Sequence, residues 1–284
     1  MGTVTPTIRL RRLGTALRHY REEAGLSLEE GALVLQRSSS SLSRIEKGLH
    51  HIPMRDLEYI LSKYGVTDEA VTARLYDWCR NGRRKGWWQK YAEDLSPETM
   101  DLIGLEADSI SIDFFELILI PGLMQTEDYA RALIGKGPFA HDPDRVDRLV
   151  AVRMQRQEIL VRPDPPRIGA IVDEAALHRQ VGGPDVMRAQ LQRLAAASRL
   201  PHVSLQVLPF AAGAHQGLDG AFKVLDVGGP GNLRVVTVDS LTQISYREED
   251  DEIRTYTEAF EYLRAAALPE ADSQALINRL VSGA

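Results

Sequence analysis

The run Ser38-Ser39-Ser40-Ser41-Leu42-Ser43-Arg44-Ile45-Glu46-Lys47-Gly48, with Ala24-Gly25-Leu26-Ser27-Leu28-Glu29-Glu30-Gly31-Ala32 ahead of it, reads as two short helices in succession. Gly25 can close the preceding helix in a left-handed conformation, and Ser27 with Glu30 three residues on makes a capping box. Leu28, Ala32 and Leu35 then recur about once per turn. Ser38 can cap the second helix, in which Leu42 and Ile45 face inward and Ser39, Ser40, Ser43 and Arg44 face out. That outer face is small and rich in hydrogen-bonding groups, as a helix entering a major groove requires; a plain surface helix has the same look.

Working outward, Leu13, Leu17 and Tyr20 predict a helix over about Leu10 to Glu23, with Arg9, Arg11 and Arg12 in or beside a basic N-terminal arm. Pro53 can open a fourth helix containing Leu57, Ile60, Leu61 and Tyr64 and ended by Gly65, and Thr67 can cap a fifth that reaches about Arg80. Asn81-Gly82-Arg83-Arg84-Lys85-Gly86 joins chain breakers to a basic cluster and predicts a hinge, read either as a solvated linker or as a second phosphate contact.

These residues resemble the xenobiotic-response-element family of repressor and Cro-like helix-turn-helix regulators, through Arg18-x-x-Arg21-x-x-x-Gly25-Leu26-Ser27 and Ser43-Arg44-Ile45-Glu46-x-Gly48. The resemblance covers about the first 80 residues and implies a five-helix domain that binds an operator in double-stranded DNA. It implies an ion pair between Arg21 and Glu46 that ties two helices together and aims the arginine at a phosphate. Leu28 stands where the family usually has Gln. Ser39, Ser40, Ser43 and Arg44 are the expected base contacts; Arg12, Arg21, Ser27, Ser38 and Lys47 are the expected phosphate contacts.

The charge balance divides along the same line. The 284 residues carry a net charge of -6, yet residues 1–90 hold 16 Lys+Arg against 10 Asp+Glu, leaving 18 against 30 for residues 91–284. The front can approach phosphates and the back is repelled by them. An apolar fraction of 44% with 26% charged residues suits globular domains. The lone Cys79 excludes an internal disulfide and a cysteine-rich zinc site, and fits packing in a reducing cytoplasm. No apolar run has the length of a membrane span and no signal-peptide pattern opens the chain, so a soluble cytoplasmic protein is expected, nucleoid-associated when bound to DNA, with no cofactor and no metal.

From Trp87-Trp88 onward the pattern is mixed. The tryptophans read as packing residues or as ligand stackers. Strands are expected over Ser109 to Ile120, Arg167 to Val172, Val203 to Leu208, Ala221 to Val227 and Leu233 to Val238. Helices are expected from near Thr126, from about Pro143 to Val161, from Pro184 to Leu200 and from Glu248 to Ala267. Gly228-Gly229-Pro230-Gly231-Asn232 reads as a hairpin turn, because no helix follows it to form a phosphate loop. The fold class expected is an α+β multidomain chain: a helix-turn-helix domain over 1–82, a linker over 83–90 and a mixed α/β domain over 91–284.

The back half resembles the actinobacterial domain of unknown function that follows such helix-turn-helix domains, as in WhiJ-like regulators. The resemblance rests on Pro121-Gly122-Leu123-Met124-Gln125-Thr126-x-x-Tyr129-Ala130-Arg131, Arg153-Met154-x-Arg156-Gln157, Asp173-Glu174-Ala175-Ala176-Leu177-His178-Arg179, Gln190-Leu191, Val207-Leu208-Pro209-Phe210 and Gly213-Ala214-His215. It implies a regulator, often with a small partner protein.

Three readings of the back half remain open. As an effector site, Gln125, Thr126, Arg131, Arg156, Gln157, Glu174 and His215 line a polar pocket for a small molecule; the bland counterparts are a packed corner at Pro121 to Thr126 and a capping or ion-pairing role for Glu174. As an interaction module, this half dimerises the chain and holds a small partner protein, as in the neutralising half of a toxin-antitoxin-like system. As a catalyst, Glu174, His178, His215 and Asp239 would have to meet, and no nucleophile, metal or dinucleotide motif accompanies them; the chain is expected not to be an enzyme.

Overall fold

The computed structural model describes residues 6–82, 86–227, 233–240 and 243–283. The chain forms two compact units, one holding Met1–Gly104 and the other Leu105–Val227 and Arg234–Ala284.

Five helices open the first unit: α1 (Ile8–Glu23), α2 (Leu28–Val34), α3 (Ser39–Glu46), α4 (Met54–Lys63) and α5 (Glu69–Asn81). Four of them begin at a side-chain cap, and α4 follows a proline. Ser27 and Glu30 form the reciprocal capping box at α2, Ser38 Oγ accepts from Ser41 N at α3, and Pro53 precedes α4. The cap of α5 is Asp68, one residue beyond the expected Thr67, since its carboxylate accepts from Val71 N at 3.0 Å. Ile8, Leu13, Leu17, Leu42, Ile45, Leu57, Ile60 and Leu75 are buried together as the inner stripes of these helices. Each such side chain contributes about 1.5–3 kcal/mol on leaving water.

The expected basic arm is corrected. The first helix starts two residues earlier than its apolar spacing suggests, because Thr7 Oγ1 accepts from Leu10 N while donating to Gly82 O at 2.7 Å, and Asp101 accepts from Ile8 N at 2.8 Å. Arg9, Arg11 and Arg12 therefore lie within α1, and Arg9 is buried. Arg83, Arg84 and Lys85 of the expected hinge, and Gly228 to Asn232 of the expected turn, lie outside the described residues. Beyond them a 3-10 turn, Trp87–Tyr91, buries Trp88. The division between the units falls within α6 (Pro97–Asp108), after Gly104.

The second unit is a six-stranded mixed sheet. In chain order its elements are β1 (Ser109–Glu116), α7 (Glu127–Ile134), α8 (Pro143–Arg156), β2 (Arg167–Asp173), α9 (Glu174–His178), α10 (Pro184–Ala197), β3 (Val203–Leu208), β4 (Phe222–Val227), β5 (Leu233–Asp239), β6 (Ile244–Arg247), α11 (Asp250–Ala266) and α12 (Glu270–Ser282). The strand order is β3-β2-β1-β4-β5-β6. Strands β1, β2 and β3 are parallel and connected through helices, as parallel pairs must be, whereas β4 is antiparallel to β1, and β6 to β5. Phe115, Ile171, Phe222, Val224 and Val236 project from one face onto Ile253, Phe260 and Leu263 of α11. Among the described residues no helix is long and apolar enough to cross a membrane.

Candidate nucleic-acid interface

The outer face of α3 is assembled from the first unit's own packing. Leu42 and Ile45 are buried, which turns the intervening positions outward: Ser40 and Arg44 are exposed, Ser39 and Ser43 half-exposed, and Lys47, which caps the C-terminus, is exposed. Ser27 and Ser38 stand exposed at the starts of α2 and α3. Their hydroxyl oxygens accept the capping N–H bonds, which leaves the O–H of Ser27 free to donate outward.

Arg21 and Glu46 fix the angle of that helix. Arg21 Nε donates to Glu46 Oε1 at 2.7 Å and Nη2 to Oε2 at 3.1 Å, a bidentate pair whose side chains are each 6% exposed. Arg21 Nη1 also donates to Leu26 O at 2.7 Å, so one guanidinium joins α1, the turn after it and the last residue of α3. The Glu46 hydrogen bond raises the arginine's pKa, and burial beside the Glu46 carboxylate pushes the Tyr64 hydroxyl up to about 12. Arg21 is also an expected phosphate contact; in the structure its guanidinium is buried against these acceptors. Through these bonds it positions α3.

Two glycines do the rest, and the sequence reading gave neither a role. A Cβ on Gly14 would lie 2.4 Å from Glu46 O, and one on Gly31 would lie 2.6 Å from Arg21 Cδ. The bare Gly14 lets α1 cross the end of α3 at backbone contact, and the bare Gly31 lets α2 lie on the arginine stem. A glycine inside a helical pattern costs about 1 kcal/mol against alanine, and its use there is the signal of such an approach. Gly48 serves the same corner with φ at +70°, and a Cβ there would lie 2.7 Å from Leu10 O.

In the second unit the expected effector residues are placed in separate groups. Gln125 Nε2 donates to Ile120 O at 2.7 Å, Gln157 Nε2 donates to Gly122 O and Gln125 O, and the backbone of Thr126 is held by Gln190 Oε1 at 2.7 Å. These amides are spent on the 120–126 corner, where Leu123 and Met124 are buried. Arg156 makes a bidentate pair with the buried Glu106 at 2.7 and 2.9 Å, and Arg131, half-exposed on α7, pairs with Glu127 and Asp147. Arg153 donates to Gln125 Oε1 at 2.8 Å, and burial with the neighbouring Arg156 brings its pKa down to about 10.

Glu174 and His215 sit elsewhere, at the C-terminal end of β2. Glu174 Oε2 accepts from Phe210 N at 2.8 Å and lies 3.6 Å from His178, and His215 lies 3.6 Å from Asp173. Asp239, the fourth residue of the catalytic reading, is taken by Lys223 at 2.9 Å on the far strands. Among the described residues no group of three or more His, Cys, Asp or Glu is placed to hold a metal ion.

Comparison with known families follows the division of the chain. A model described as a helix-turn-helix domain matches residues 12–75, and one described as a domain of unknown function (DUF5753) matches residues 99–279. No curated protein and no solved structure matches the chain.

Proposed function

The chain belongs to the family of the domain of unknown function DUF5753 and carries a helix-turn-helix domain ahead of it, and from that premise we propose that it is a sequence-specific transcriptional regulator. The carrying observation is the buried Arg21–Glu46 pair, which spends a charged side chain on holding α3 with Ser39, Ser40, Ser43 and Arg44 outward. On this reading α3 enters the major groove, where Arg44 reads a base edge and the serines add shorter contacts. Arg12, Lys47, Ser27 and Ser38 hold phosphates.

The charge division supports the same assignment, with the acidic second unit kept off the DNA. That unit pairs two copies, so that the operator is a near-palindrome with half-sites about one helical turn apart, and it receives the signal as a small effector. Coupling requires an effector that prefers one of two domain arrangements. Genome-wide immunoprecipitation of the chain tests the proposal: enriched sites sharing a two-fold motif are expected, and the absence of any shared motif would overturn it.

A further inference from the structure

The three parallel strands of the second unit register polar residues side by side on the face that α11 covers. Ser111 pairs with Arg167, and Asp113 pairs with Gly169, which pairs in turn with Ser204. The next row, Phe115 with Ile171, is sealed in the core. The two polar rows are not sealed. Together with His202 before β3 and with Phe260 and Arg264 of α11, they line a cavity of about 320 Å³, at the lower end of the roughly 300–1,000 Å³ usual for small-molecule sites.

Three groups lining it have no hydrogen-bonding partner among the described residues. Among the described residues Asp113 accepts no hydrogen bond and makes no ion pair, Arg167 likewise makes neither, and His202 Nε2 is buried without a partner. Their neighbours are committed: Arg264 to Glu261 at 2.5 Å, Ser204 to Glu270 at 2.5 Å and Gln206 to Leu268 O at 2.9 Å. Glycine at 169 makes the room, since a Cβ there would lie 2.2 Å from Asp113 Oδ1. Burial, and then the Glu261 carboxylate, push Asp113 up to about 6. Asp113 is half-buried with no donor among the described residues on its carboxylate, and a cationic group brought to it in the cavity supplies the missing partner.

We propose that this cavity binds a small zwitterionic metabolite of the amino-acid type, its ammonium group on Asp113 and its carboxylate on Arg167. The ligand serves as the effector of the second unit, a role that rests on the sensing reading above. Arg167, at the exposed rim, receives the anionic end, and His202 Nε2 supplies a third polar contact deeper in the cavity.

Calorimetric titration of the full chain at pH 7.5 with each of the common free amino acids tests the site. Saturable binding of at least one is expected. Affinity should fall at least tenfold for the analogue of that amino acid lacking its amine, for the analogue lacking its carboxylate, and in both Asp113→Asn and Arg167→Ala. Thermal melts verify that the two variants fold, and the rim position of Arg167 keeps the second one informative if the first is perturbed. No saturable binding by any amino acid, or binding indifferent to both substitutions, would overturn the proposal. Binding that leaves operator affinity unchanged would confirm the site and refute the sensing role, so the two failures are separable.

Discussion

Replacing Glu46 by alanine isolates the contact on which the placement of α3 depends. The carboxylate lost is the bidentate partner of a guanidinium whose side chain is 6% exposed, and Arg21 would keep only Leu26 O and the longer Glu22 contact, at 3.4 Å, inside the packed unit. Removing one partner of a buried pair costs about 3–5 kcal/mol, because the remaining charge stays out of water, whereas an exposed pair is worth about 0–1 kcal/mol. Against a typical domain stability of about 5–15 kcal/mol, this consumes a large part of the margin. Urea denaturation followed by tryptophan fluorescence reads the effect cleanly, since all three tryptophans, Trp78, Trp87 and Trp88, lie in the first unit. The Glu46→Ala transition should move to markedly lower urea at unchanged slope. Arg21→Met combined with Glu46→Leu should recover much of the loss, as apolar replacement of a buried pair often does. A loss below about 1 kcal/mol for Glu46→Ala would refute the reasoning, because it would mean the pair behaves as a solvated surface contact.

Gly14→Ala should destabilise the first unit by about 1–3 kcal/mol and weaken operator binding as well, since the added methyl would meet Glu46 O at 2.4 Å and push the end of α3 away. Fluorescence-monitored denaturation and an operator titration check the two effects. Asp113→Asn should stabilise the second unit at neutral pH. With its folded pKa raised from 3.8 to about 6, Asp113 holds its proton longer in the folded chain than in the unfolded one, so wild-type stability falls as pH rises from about 4 to about 6. The advantage of the variant is therefore about 1–3 kcal/mol above pH 6 and fades toward pH 4, as calorimetric melts across that range would record.

The first unit was largely legible because its signals are local. Ser27, Glu30 and Ser38 cap the helices they were expected to cap, and the apolar spacing of Leu42 and Ile45 gave the buried face of α3. The central strands of the second unit were equally plain, as β-branched runs bounded by turn residues. Short or weakly patterned elements were not: α9 has five residues, β6 has four, and α6 and α12 mix small and apolar residues with little contrast between their faces. The candidate site in the second unit was less legible for a different reason. Gln125 and Gln157 look available in sequence, and only the fold shows their amides consumed by the backbone of one corner. Asp113 went unnoticed because a polar residue at an alternate strand position reads as solvent-facing, and nothing local says that α11 closes over it.

The most direct test of the account is fluorescence anisotropy of wild type and Arg44→Ala on the best operator and on an unrelated duplex, across a salt series. A lost base contact of about 1–3 kcal/mol predicts about 5- to 150-fold weaker operator binding, with little change on the unrelated duplex beyond one fewer phosphate-range charge. Equal loss on both duplexes would contradict the claim that α3 reads sequence through Arg44.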